Sequence, residues 1–260
     1  MNRRRWMAAA IALAATGALA APYVVLKNNN RIEGASIRAR PDGSVVLITA
    51  DGRQFTFTRD QYLQAVADKP ADFERAAAAV QAGRTDEAIP ILQKIMSELR
   101  FLQWDREAGL LLVRAHQAKN DGESMLKVYD ALMKDYPAMV NEPEVGWHYR
   151  EALLAAKRYS QLEPQLDTLI KGENRTDAAR ALLMRGDIRA AQGNLEVAIR
   201  DYLRVVLFFE RETAVLPRAL LKAAQALERN RDPRAKEFYR RLVQEFADTP
   251  EGAAAKGKAG

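Results

Sequence analysis

The sequence predicts a mainly α protein, a right-handed solenoid of about five helical hairpins preceded by a small antiparallel β-meander. Three observations predict it. From Ala71 onward apolar residues recur three and four positions apart. Turn residues interrupt that pattern at intervals of about 36 to 37 residues. Residues 23–58 instead alternate apolar and polar side chains around turn signals. The expected organisation is a signal peptide over 1–20, a β-meander over 21–60, a helical-repeat domain over 61–250 and a flexible tail over 251–260.

The first segment carries Arg3, Arg4 and Arg5 ahead of an uncharged run from Trp6 to Ala20. That is a basic stretch followed by an apolar one, closing on the small-x-small sequence Ala18-Leu19-Ala20, so cleavage is expected near Ala20/Ala21 and the mature chain in the periplasm or outside the cell. The run is short and mostly alanine, whereas a span needs roughly 20 strongly apolar residues. Removing it takes away three arginines and lowers the formal charge from +6 to about +3. Acids and bases are interleaved along the helices, the pattern of a solvated surface and not of a nucleic-acid stripe, so no nucleic-acid partner is expected. The absence of cysteine excludes disulfides, thiol nucleophiles, cysteine metal sites and a lipid-bearing cysteine, and suits an oxidising compartment.

The meander is expected to have four strands: Tyr23 to Leu26, Arg31 to Arg40, Ser44 to Thr49 and Gln54 to Thr58. Asn28-Asn29-Asn30, Pro41-Asp42-Gly43 and Asp51-Gly52 separate them, and Asp-Gly supplies residues that accept positive φ in a tight hairpin. Asp60 is expected to cap a helix over Asp60–Val66 that leads into the repeats, with Lys69-Pro70 closing the linker. A unit this small buries little surface by itself. It is either a cap leaning on the first helices or a small binding or oligomerising module with an open edge strand.

In the helical region Gly83, Asn120, Lys157, Gly193 and Asn230 fall at the turns between paired helices. Five residues beyond each stand Ala88, Met125, Leu162, Ala198 and Ala235, then Leu92, Tyr129, Leu166, Tyr202 and Tyr239, then Ile95, Leu132, Leu169, Val205 and Leu242. A small or apolar contact, a large one and a further apolar one thus recur in register. Gly186, Gly193, Ala198 and Tyr202 form the best-defined unit and Ala76, Ala79, Gly83, Ala88 and Leu92 the second, and these residues resemble the tetratricopeptide repeat family over about residues 70 to 250. Arg150 stands where that family usually has glycine, and the spacing exceeds the usual 34 by two or three residues. The stretch Phe238 to Ala254 is similar to the closing repeat of exported, envelope-type members, including the periplasmic Tol-Pal accessory protein and the outer-membrane assembly lipoproteins. This chain departs from both, having a meander in place of a coiled coil and no lipid-bearing cysteine. The tail after Pro250 is expected to fray.

No catalytic constellation is present. His116 and His148, the two histidines, lack patterned carboxylate partners, and there is no phosphate-binding glycine loop, nucleophile elbow or paired glutamate-histidine motif. Glu142 and Glu144 bracket Pro143 as an acidic first helical turn. The expectation is no enzyme, no cofactor and no metal. The resemblance implies a concave groove lined by the first helix of each hairpin, with Arg114, Gln117, Trp147, Glu151, Arg180, Leu183 and Asp187 facing inward. Trp147 is either an aromatic anchor for a ligand or packing between repeats.

The function expected is therefore a periplasmic or secreted scaffold that binds an envelope protein or peptide in the groove. Two alternatives stand beside it: a self-assembling structural protein, a homo-oligomer joined through the meander, and an accessory repeat protein of an envelope enzyme complex.

Overall fold

In the computed structural model, which describes residues 21–259, the alternating segment folds into six strands. These are β1 (Tyr23–Leu26), β2 (Arg31–Glu33), β3 (Ser36–Ala39), β4 (Val45–Ile48), β5 (Gln54–Phe57) and β6 (Tyr62–Val66). They form two antiparallel three-stranded sheets, ordered β2-β1-β6 and β3-β4-β5. The expected signal peptide lies outside the described residues.

The four-strand expectation is corrected in two places. Arg31 to Arg40 is not one strand, because the chain leaves β1 after Glu33 and pairs with β4 from Ser36. Gly34 stands at that crossing, where a Cβ would lie 2.6 Å from the Leu47 side chain and 2.8 Å from the Ile48 carbonyl oxygen. Only a residue without a side chain lets the strands pass so closely.

Asp60–Val66 is not a helix. Tyr62 to Val66 pairs with β1, with a register shift between Val25 and Leu26 that leaves Leu63 as the inserted residue. One inserted residue turns the period-two alternation of a strand into a spacing of three, so Tyr62 and Ala65 both reach the core. Tyr62 also donates its hydroxyl to the Gly43 carbonyl oxygen at 2.6 Å, fastening β6 to the β3–β4 turn.

The two sheets share a core of Val24, Val45, Leu47, Tyr62 and Ala65, against which Leu99, Leu102 and Trp104 pack. Trp104 donates its indole N–H to the Ala67 carbonyl oxygen at 2.8 Å and meets Phe73 edge-on at 5.1 Å. The sheets therefore lean on the helices that follow, α1 (Phe73–Gln81), α2 (Thr85–Glu98) and α3 (Trp104–Ala118), which pack on one another in sequence order. These elements make the first of two compact units, ending at Ala118.

The second unit begins at Lys119 and contains α4 (Gly122–Asp135), α5 (Pro143–Ala155), α6 (Tyr159–Lys171), α7 (Arg175–Ala191), α8 (Leu195–Phe208), α9 (Leu216–Arg229), α10 (Ala235–Glu245) and α11 (Pro250–Ala255). A 3-10 turn over Pro137–Asn141 joins α4 to α5. Within the unit each helix packs on its neighbour in sequence, giving stacked hairpins.

The turns explain the repeat. Gly83, Asn120, Lys157 and Gly193 all have positive φ, and at the last turn the left-handed residue is Arg231, one place beyond the expected Asn230. At four of the turns the following N–H reaches back to close the helix end: Arg84 to the Ala79 carbonyl, Arg158 to Leu153, Asn194 to Arg189 and Asp232 to Leu227, all at 2.8–2.9 Å. A left-handed residue with this long back-bond satisfies carbonyls that a helix end otherwise leaves open. Beyond the turns the register residues are buried at every position except Leu169, which is half-buried.

The tail is a second correction. Thr249 caps α11 by accepting the Gly252 N–H at 3.1 Å, Gly252 and Ala255 are buried, and Lys258 pairs with Glu228 at 2.7 Å. The end of the chain is short but covers the apolar side of α9 and α10, which otherwise would face water. A Cβ at Gly252 would lie 2.0 Å from the Phe246 carbonyl oxygen, an atom of the backbone that cannot swing aside. Gly252→Val is expected to lift α11 from the stack, seen as rapid proteolysis after Thr249 in a chain whose α7–α8 hairpin stays protected from hydrogen exchange.

Candidate functional site

The first helix of each hairpin in the second unit carries one wall of a cleft. On α7, Arg180, Leu183, Met184 and Asp187 share a face at spacings of three and four. On α5, Trp147 and Glu151 are one turn apart, and Arg218 projects from the first turn of α9. Together they line a shallow, solvent-open cleft with an apolar floor and charged walls.

Trp147 is only 4% exposed. Its indole N–H donates to Asp177 Oδ1 at 2.9 Å, while the Arg180 and Arg150 guanidinium groups stand 4.2 and 5.2 Å from the centre of its rings. The ring is thus fixed from α7 and presents only a small part of itself to the cleft. Cation–π contact of this kind holds a desolvated ring in one orientation. Arg150 is half-buried with its Nε lacking a hydrogen-bond partner. Burial, with Arg180 nearby, pulls its pKa below the usual arginine value, and Asp177 opposes that.

Asp187 forms the other pole. It accepts the Tyr202 hydroxyl at 2.8 Å and the Lys222 ammonium at 2.9 Å, with the Arg218 guanidinium at 3.9 Å. Burial pushes the Tyr202 phenol far above its ordinary pKa, and the Asp187 and Asp201 charges add to the effect. Arg180 is 3.7 Å from Glu144. The cleft walls therefore carry both signs of charge.

Five of the seven residues expected to face inward, Trp147, Glu151, Arg180, Leu183 and Asp187, come together here. Arg114 and Gln117 are exposed on α3, in the first unit. Met184 and Arg218 were not expected. The repeat register carries Arg180 to Pro217, one place short of Arg218, so the register alone does not single it out; Met184 follows Leu183 on the same helix.

His116 is buried on α3 and His148 half-buried on α5. Among the described residues no group of three or more His, Cys, Asp or Glu side chains is placed to hold a metal ion. Among the same residues no helix is long and apolar enough to cross a membrane.

The profile of the tetratricopeptide repeat matches residues 218–249, which take in nearly all of α9, the turn at Arg231 and all of α10. No curated protein matches the chain. The last full hairpin is accordingly similar to a tetratricopeptide repeat, a unit that generally serves in protein-binding scaffolds and usually without catalysis.

Proposed function

We propose that this protein is an exported scaffold of the cell envelope, acting without catalysis, that holds an extended segment of another protein in the cleft between α5, α7 and α9. The observation that carries the reading is the convergence of Trp147, Glu151, Arg180, Leu183 and Asp187, from two successive repeats, on one cleft completed by Arg218 of a third. Leu183 and Met184 would give a side chain of the guest an apolar floor. The charges of both signs around it would orient the segment on either side. Export rests on the basic and apolar segment ahead of Ala21.

Reversing the half-buried Arg180 and the exposed Arg218, Arg180→Glu with Arg218→Glu, places like charges beside Glu144 and Asp187 and is expected to lower recovery of a co-purified envelope partner at least tenfold. Lys236→Glu with Arg240→Glu, on the exposed side of α10, should leave recovery unchanged. Equal recovery from both pairs, with circular dichroism showing all chains folded, would remove the cleft from the account.

A further inference from the structure

The end of α8 carries the largest apolar feature that the cleft does not use. Leu207 and Phe208 are consecutive and each 66% exposed, and no other described large apolar residue is more exposed. Folded surfaces seldom hold two adjacent bulky apolar side chains in water without a use for them.

The tip is rigid. Phe208 ends α8, its carbonyl oxygen accepts from Arg175 Nη2 at 2.6 Å, and the Arg175 guanidinium lies 4.9 Å from the half-buried Phe209 ring. The surroundings are basic. Arg204 lies one turn before the tip and Arg200 another turn before that, while Arg211 follows three residues after it, all exposed. Of the nearby acids, Glu212 is held by Arg175 and Thr176, Asp201 is buried against Arg185 with Arg204 at 3.8 Å, and Glu210 is exposed.

From this arrangement we infer that the α8 tip docks on the surface of an anionic lipid bilayer. Leu207 and Phe208 enter the boundary between headgroups and acyl chains, and Arg200, Arg204 and Arg211 meet lipid phosphates. Two features favour a bilayer over a protein partner. The apolar part is a point of two side chains and not a face or groove, too small for the core of a stable protein interface. The cations lie beside that point, Arg204 and Arg200 one and two turns before Phe208 on the same face of α8 and Arg211 just after it, where they can meet headgroups next to an inserted wedge. Peripheral docking of this kind needs no spanning helix, and it would set the α5–α7–α9 cleft close to envelope partners.

Residues 1–20, three arginines followed by an apolar run, can bind anionic vesicles by themselves, so the test needs a local readout. The chain contains no cysteine, and Glu210→Cys places a single environment-sensitive fluorophore beside the tip without removing Leu207, Phe208 or an arginine. In the full chain this probe is expected to shift to shorter wavelength on adding phosphatidylcholine vesicles that contain phosphatidylglycerol, and not with phosphatidylcholine alone. The shift should vanish when Leu207 and Phe208 become serine, and each arginine changed to glutamine should weaken it by roughly fivefold in lipid concentration. A probe at Gln192, at the opposite end of α8 from the tip, should stay unchanged. No shift at 210 with anionic vesicles, an equal shift with neutral ones, or a shift on raising protein concentration without lipid would overturn the inference, the last by making the tip a contact between copies of the chain.

Discussion

Replacing Gly186 with alanine is expected to destabilise the second unit by about 2 kcal/mol, although alanine is the better helix former by about 1 kcal/mol. The added Cβ would lie 2.4 Å from Tyr202 Cε1 and 2.7 Å from Cδ1, far inside contact distance. The Tyr202 ring is buried and its hydroxyl is tied to Asp187, so it has no free volume into which to turn. Either α7 and α8 separate or the ring leaves, and both open the core of this hairpin. Ala223 holds the corresponding position in the next hairpin, sixteen residues before Tyr239, so the repeat itself accepts alanine there. In α7–α8 the flanking α6 and α9 restrain that separation, so the clash outweighs the gain in propensity. Urea denaturation measures the loss. Tyr202→Leu in the alanine background should recover part of it, as the Ala76–Leu92 pair of the first hairpin suggests. A Gly186→Ala protein as stable as the parent would mean that the close approach is not a constraint.

The second large effect is at Arg185. Its Nε and Nη2 donate to the two carboxylate oxygens of Asp201 at 2.9 and 2.8 Å, and its Nη1 donates to Asp167 at 2.9 Å. One guanidinium thus joins α6, α7 and α8. The Asp201 side chain is nearly inaccessible, and with Arg185 gone it keeps only the looser contact with Arg204 at 3.8 Å. Arg185→Leu should therefore cost about 3 kcal/mol, because a buried carboxylate loses its paired charge. Arg185→Leu with Asp201→Leu should be more stable than the single variant, since the cost lies in the stranded charge and not in the absence of an ion pair. A double variant no better than the single one would place the cost in packing instead.

The hairpin stack was legible because its signals are local. A residue that tolerates positive φ must end each first helix, and the apolar positions of the second helix follow at fixed distances from it. The one displaced turn shows the limit of that logic. Asn230 looks like the left-handed residue, but the chain places Arg231 there, and arginine at positive φ leaves no mark in composition. The sheets were harder for a related reason. β6 pairs with β1 across nearly forty residues of sequence, and its bulge gives Tyr62 and Ala65 the spacing of a helix. Nothing within Asp60–Val66 distinguishes the two. Gly34 and Gly252 were also silent, because their importance comes from the Leu47 side chain, the Ile48 carbonyl and the Phe246 carbonyl that approach them in space.

The cleft was legible to the extent that it follows the repeat. Trp147, Glu151, Arg180, Leu183 and Asp187 lie on corresponding faces of successive first helices, so register alone gathers them. Depth does not follow from register. Trp147 is sunk into its wall because Asp177 and Arg180 reach it from α7, with Arg150 adding a second cation where a glycine would be usual. Its role therefore combines packing with a limited contribution to the cleft surface, and the more exposed Arg218 is the better reporter of occupancy.

Photo-crosslinking from position 218 of the full chain in its native cells tests the central claim most directly. One dominant adduct with an envelope protein is expected, mapped by mass spectrometry to a single extended segment and lost when Arg180 is changed to glutamate. Adducts that form equally well from position 240 on α10, or that survive Arg180→Glu, would contradict it.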